Sequence, residues 1–225
     1  MIKKIGNFGW ISNFSFFYAH HMTTIEGGMI STNDSEVYQQ ARMLRSHGMV
    51  REATDTTLQE TYKASNPELH SDFIFSYPAY NVRNTEIGGI MGRKQLKRLD
   101  ENIIRRTTNL KLFLGKIDPN KYRTNFKLEG SSNYAFNLVL KEADDQLVVK
   151  LMNRMREAEV EFRRGSAGGG NQIRQPYLKN VVPKEHHKEF PEVEHVHFYG
   201  FYIGNYPDLS DEEINDICEI VNTVE

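Results

Sequence analysis

The chain has 225 residues, 39% apolar and 11% aromatic, enough hydrophobic material for one large domain or two small ones. A formal charge of -2 at pH 7 gives no footprint for nucleic acid or an anionic membrane, both of which call for a concentrated basic surface. The single cysteine, Cys218, rules out an internal disulfide. No uncharged run approaches the roughly 20 apolar residues of a membrane helix, and the start, Met1 to Asn7, lacks a signal-peptide core, so the expectation is a cytoplasmic protein with a buried thiol.

In chain order, residues 5–18 are rich in Phe, Ile and Trp and punctuated by Gly6 and Gly9, which suits one or two short buried strands. A strand at 28–31 runs into Thr32, Asn33, Asp34 and Ser35, whose side-chain oxygens can cap a helix over 36–46. Residues 51–79 are polar, with prolines at 67 and 78, and read as a long surface loop or lid. From 85 to about 113 the pattern is helical: Ile87, Ile90, Leu96, Leu99, Ile103 and Ile104 form an apolar face, with Lys and Arg toward water. Then come a strand at 133–140, a helix at 143–158, a strand near 160–163 and a last helix at 210–224. Asp211, Glu212 and Glu213 open that last helix favourably for its dipole. Strands alternating with helices indicate an α/β architecture.

Three stretches carry chemistry. The first runs Ser15-Phe16-Phe17-Tyr18-Ala19-His20-His21-Met22-Thr23-Thr24-Ile25-Glu26-Gly27-Gly28. By itself it is a compact polar turn after a strand, where Ser15 can hydrogen-bond an anion and His20 can serve as acid or base near neutral pH. The second is Tyr80-Asn81-Val82-Arg83-Asn84-Thr85-Glu86-Ile87, a helix start that Asn84 or Thr85 can cap, and Arg45-Ser46-His47-Gly48 reads as a helix end closed by glycine. The third, Arg163-Arg164-Gly165-Ser166-Ala167-Gly168-Gly169-Gly170-Asn171-Gln172-Ile173-Arg174-Gln175-Pro176-Tyr177, lacks the Lys-Ser/Thr of a Walker loop. It is either a flexible turn or an anion-reading arm, since planar guanidinium forks pair with phosphate oxygens. His70, His186, His187, His195 and His197 include a His-x-His pair on a supposed strand. No zinc spacing accompanies it, so these are surface or packing residues and no metal is expected.

Together these stretches resemble the DegT/DnrJ/EryC1/StrS aminotransferase family. Its motif runs Ser-Phe, a few residues, Lys, then Thr-Thr-x-Glu-Gly-Gly, and here His20 stands at the lysine position. Tyr80 to Ile87, the Gln95-Leu96-Lys97-Arg98-Leu99 pattern and the ending Gly200-Phe201-Tyr202-Ile203-Gly204-Asn205-Tyr206-Pro207-Asp208-Leu209-Ser210 extend the match through nearly the whole chain. The Tyr-Ala-His-His form is similar to the nucleotide-sugar 3-dehydratase members. The resemblance implies the rear of a fold-type-I pyridoxal phosphate-dependent transferase, with residues 1–84 completing the large domain and 85–225 forming a small α/β domain.

It further implies pyridoxal or pyridoxamine phosphate held non-covalently, because an imidazole cannot replace a lysine amine in covalent attachment. His20 would be the catalytic acid/base, Ser15 would bind the cofactor phosphate, and Asn81 would reach the cofactor phosphate of the other subunit in a homodimer. Arg163, Asn171 and Arg174 would bind a nucleotide-linked keto-deoxysugar, in a setting such as surface-polysaccharide biosynthesis. The match is to the latter part of a family member. The carboxylate that pairs with the cofactor ring nitrogen is therefore expected upstream of Met1, and the chain alone is expected to lack activity, with apolar surface exposed. A sugar aminotransferase is the alternative, which would require another lysine to reach the cofactor, Lys3 and Lys4 being nearby in sequence but out of register with the motif; a non-catalytic interaction subunit is the other.

Overall fold

The computed structural model describes residues 5–165 and 170–225, and the reading of Lys3 and Lys4 and of Ser166, Ala167, Gly168 and Gly169 lies outside them. The chain divides into two compact units, one up to Arg98 and one from Leu99.

The first unit opens with an antiparallel hairpin of β1 (Ile11–Ser15) and β2 (Gly28–Thr32), in register from Ile11 opposite Thr32 to Ser15 opposite Gly28. These are the two expected strands, but they are not buried: Phe14, Met29 and Ile30 are all exposed in this chain, and among the described residues the sheet has two strands. The Asp34 carboxylate then caps α1 (Ser35–Leu44), accepting from the amides of Glu36 and Val37. The helix ends earlier than the sequence suggests, with Arg45 rather than Gly48 as its C-cap, and His47 and Gly48 then both take positive φ. Gly48 takes φ +77, and a Cβ there would sit 2.1 Å from the Tyr77 carbonyl oxygen, so no other residue fits.

The expected loop at 51–79 contains a helix, α2 (Thr56–Ser65). Its signal is local and was masked by polarity. Asp55 accepts from Thr57 N and Leu58 N at 2.9 and 3.1 Å, while Leu58 and Tyr62, one helical turn apart, pack on Met43, Val50, Ala53 and Ile74. Helix α3 (Glu86–Leu96) follows, with Thr85 as its cap.

The expected single helix from 85 to 113 is two. At Arg98 the amide bonds back three residues to Gln95 rather than four, tightening the chain into a turn before α4 (Leu99–Lys116). The supposed apolar face is open: Ile87 is 70% exposed and Ile90 69%, and Leu96 and Ile104 are exposed as well. What α4 buries is Arg106, Asn109, Leu110 and Phe113, so Arg106 departs from the expectation that the basic residues face water.

The second unit is a three-stranded antiparallel sheet in the order β3 (Ala135–Val139), β5 (Gly200–Gly204), β4 (Phe162–Arg164). Helices α5 (Asp145–Glu157), α6 (Pro191–Tyr199) and α7 (Asp211–Asn222) complete it. One face of the sheet, with Phe136, Leu138, Phe201 and Ile203, joins α4, α5 and α7 in the core; Phe136 stacks on Phe113 at 4.5 Å between ring centres. Cys218 is buried there, and burial pushes its thiol up to about 11. The pair His195 and His197 lies on α6, not on a strand.

Because Asp55 satisfies two amides at the start of α2, Asp55→Ala is expected to destabilise the first unit by about 1 kcal/mol. Hydrogen exchange should report this as faster opening of amides 57–65, with those of α5 and α7 unchanged.

Candidate functional site

Residues 16–27 form the loop of the β1–β2 hairpin, and hydrogen bonds shape it closely. The Phe16 amide donates to Gly27 O, and the Thr24 amide donates to Phe16 O, both at 2.9 Å. The Thr23 hydroxyl donates to Phe16 O and accepts from Ile25 N at 2.9 Å, holding Ile25 at φ +72, a conformation a β-branched residue rarely adopts. Thr24 is buried and its hydroxyl donates to Glu26 O at 2.7 Å. Its methyl lies so near α3 that a Cβ on Gly92 would come within 3.3 Å of it, while Gly27 would meet its hydroxyl at 2.6 Å. Thr24 therefore seats the loop against the middle of α3. The Thr-Thr-x-Glu-Gly-Gly motif contains it without giving it a role, although the glycines at 27 and 92 are the signal of a close approach.

Ser15 ends β1 opposite Gly28. Its hydroxyl oxygen accepts from Phe17 N at 3.4 Å, leaving its proton to donate elsewhere. His20 is exposed in the turn beyond, its amide bonded to Phe17 O and its ring edge-on to Phe17 at 6.1 Å. Between Ile5 and Tyr62 the chain contains no lysine. The donor set of the loop is thus a hydroxyl and an imidazole with no amine, which suits an anionic phosphate and a proton acceptor and leaves no group for covalent attachment. Asn81 is exposed beside the α1 end, bridged to Ser46, and its Oδ1 accepts from Arg83 Nε at 3.0 Å.

In the second unit the arm after β4 is held by α6. The Asn171 amide donates to His197 Nδ1 at 3.0 Å. Asn171 Nδ2 donates to Glu194 Oε1 at 2.8 Å, and Arg174 Nε reaches both oxygens of the same carboxylate. Arg174 also lies 5.0 Å from the Phe198 ring centre. Asn171 is buried, so both it and Arg174 are engaged within the chain. Arg163 is exposed on β4, 5.7 Å from the centre of the Tyr202 ring. The sequence reading missed Glu194 and set His197 aside as packing. A carboxylate and an imidazole three residues apart on one helix face are the pattern that could have found them.

The Arg174 hydrogen bond, aided by Asn171, holds the Glu194 carboxyl down to about 2, against partial burial. Burial, then the charge of Arg174, lowers the pKa of His197 from its ordinary value, with Arg164 adding to the effect and Glu194 opposing it. His197 is a neutral acceptor in the fold, so its contribution to stability is complete above about pH 6.5. It is lost as pH falls below that through the lowered folded value. Glu194 contributes above its ordinary value of 4.5 and loses that contribution as pH falls toward 2. In urea unfolding followed against pH, His197→Asn should flatten the fall in stability just below pH 6.5 and leave the fall below 4.5 in place. Equal slopes in the two proteins would contradict this.

Comparison with known proteins accounts for most of the chain. It is 29% identical, over 97% of its length, to the GDP-4-keto-6-deoxy-D-mannose 3-dehydratase of Escherichia coli O55:H7 (strain CB9615 / EPEC), covering 56% of that protein. The solved structure of E. coli GDP-4-keto-6-deoxy-D-mannose-3-dehydratase with bound hydrated pyridoxal phosphate superposes with a TM-score of 0.77, at 28% identity over 97% of this chain and 56% of that one. A mutant of such a dehydratase with bound GDP-perosamine gives 0.73, at 27% identity over 96% of this chain and 55% of that one. The chain spans just over half the length of these relatives, and among the described residues no helix is long and apolar enough to cross a membrane. The sequence pattern of the DegT/DnrJ/EryC1/StrS aminotransferase family matches residues 2–222, and the chain belongs to that family.

Proposed function

We propose that this chain carries the histidine-bearing part of a vitamin B6-dependent nucleotide-sugar 3-dehydratase, acting on a nucleotide-linked keto-deoxysugar in a homodimer. The observation that carries the reading is His20 in a hairpin loop free of lysine, at the position where the resemblance puts the family's cofactor-binding amine. Residues 1–84 then complete the cofactor-binding domain, and the chain from 85 leads through α3 into the small domain.

When bound, pyridoxal or pyridoxamine phosphate supplies the electron sink for bond cleavage at the sugar. Ser15, with its proton available at the end of β1, donates to the cofactor phosphate, and the Asn81 amide does the same across the dimer. His20 accepts a proton at a ring nitrogen and returns it to the departing 3-hydroxyl, which leaves as water. Arg163 pairs with the substrate diphosphate, while Asn171 and Arg174, tied to Glu194, act on the substrate by fixing the shape of the arm. Aminotransfer is the second reading, favoured by the family to which the chain belongs; it needs a lysine amine at the cofactor.

The test joins the chain to the N-terminal half of the 3-dehydratase relative, adds pyridoxal phosphate and reduces with borohydride. The wild-type protein should bind the cofactor by absorbance yet release it on denaturation, whereas His20→Lys should retain it with the corresponding mass gain. Covalent retention by the wild type would favour aminotransfer, and no binding by either would favour a non-catalytic subunit.

A further inference from the structure

Either Asn84 or Thr85 suits the cap of α3 by residue type, and the fold gives that place to Thr85. The Asn84 side chain is used otherwise. Its Oδ1 accepts from Thr85 N at 2.7 Å, and its amide group lies between the hairpin loop and the first turn of α3. On one side is Gly27, where a Cβ would come within 3.0 Å of Asn84 Nδ2. On the other is Gly88, where a Cβ would come within 2.8 Å of Asn84 Oδ1.

We infer that Asn84 is a positioning residue: wedged between Gly27 and Gly88, its carboxamide holds the loop that carries His20 against the segment that carries Asn81. The inference rests on the dehydratase reading for what His20 and Asn81 do, and it adds a residue to which that reading gives no part. The loop is closed at its base by Phe16 N on Gly27 O, and Gly28, the next residue, pairs with Ser15. A displacement of Gly27 therefore reaches both the end of β1 and the turn beyond it. Asn81, three residues before Asn84, is itself fixed by its bridge to Ser46 and by Arg83 Nε on its Oδ1.

A local hydrogen bond to Thr85 would orient Asn84 without asking anything of its neighbours, and Gly88 shows that more is asked. It is buried in the first turn of a helix with ordinary φ, where alanine is the better helix former. The three atoms nearest to a Cβ there all belong to Asn84, at 2.8, 3.5 and 3.6 Å. Glycine at 88 thus makes room for Asn84 rather than serving the helix. Gly27 is held to glycine more strictly, by φ +148 and by the Thr24 hydroxyl 2.6 Å from its Cβ position. Thr24 links Gly27 to Gly92 and Asn84 links Gly27 to Gly88, and positions 88 and 92 lie one turn apart on the same face of α3. The loop is therefore gripped at two points, one of which comes from the segment carrying Asn81.

Hydrogen exchange on the full chain tests the wedge without cofactor. Asn84→Ala should speed exchange of the Phe16 and Thr24 amides about fivefold, while the amides of α1 keep their protection. Gly88→Ala should do the same by displacing Asn84, and the double variant should be no worse than Asn84→Ala alone, because the added methyl then meets nothing. In the protein joined to the N-terminal half, His20→Lys reports where residue 20 sits. Adding Asn84→Ala should slow covalent capture of pyridoxal phosphate about tenfold with cofactor affinity unchanged, and Asn84→Asp, of the same shape, should restore the rate. Loop amides indifferent to Asn84→Ala, effects of the two substitutions that simply add, or a loss of affinity in place of slower capture overturn the inference. The exchange measurement involves no cofactor, so the two readings fail separately. Protection lost in the variants of a protein that binds no cofactor keeps the wedge and rejects the dehydratase reading; capture by His20→Lys in a loop that ignores Asn84 does the reverse.

Discussion

The second unit depends on Asn205, a fully buried polar residue just past the end of β5. Its amide donates to Tyr134 O, its Nδ2 donates to Arg106 O and Asn133 O, and its Oδ1 accepts from Asn109 Nδ2. Its own carbonyl accepts from the buried Arg106 guanidinium. One side chain thus ties the central strand to the entry of β3 and to the middle of α4. Both neighbouring strands are registered on β5, and a slip of one residue would turn every side chain to the opposite face. The placement of Arg163 beside Tyr202 therefore depends on a polar contact in the core. Hydrophobic packing of Phe136 on Phe113 stabilises the unit, but directionless packing tolerates alternative arrangements. Hydrogen bonds to named atoms do not.

Thr24 plays the corresponding part in the first unit. It is small enough to enter the notch left by Gly27 and Gly92, and its hydroxyl and amide are both satisfied inside the loop. The unusual backbone of Ile25 persists because the Thr23 hydroxyl accepts its amide, so local strain is held by local hydrogen bonds. Beyond this seat, His20 remains exposed, with an aromatic edge beside it. The buried threonine fixes the loop and the exposed histidine is available to react.

What the sequence disclosed follows the range of the forces involved. Helices α1, α5 and α7 were legible because caps and apolar periodicity lie within a few residues of each other; Ser210 and Glu213 even form a complete capping box. The His20 loop was legible through its motif. Helix α2 was read as a loop because two packed residues, Leu58 and Tyr62, are few against a polar background. Arg106 was assigned to solvent because its partner lies about a hundred positions away at Asn205. The contact of Arg163 with Tyr202 was invisible for the same reason: the two meet only once strand register is known. The open face of α3 reverses the usual rule, since Ile87 and Ile90 were rightly read as an apolar stripe and still face outward in this chain.

Residue type alone also could not decide which arginine is available to a ligand. Arg163, Arg164 and Arg174 are equal candidates by chemistry. A guanidinium already bridging a carboxylate must lose that partner before it can receive a phosphate, and the exchange of one anion for another returns little net energy. Glu194 therefore removes Arg174 from competition while using it to fix the arm, and Phe198 O does the same with part of the Arg164 fork. Arg163 lies over the Tyr202 ring, 5.7 Å from its centre. The carboxylate and the carbonyl thereby leave Arg163 as the one of these three arginines without a carboxylate or carbonyl partner among the described residues.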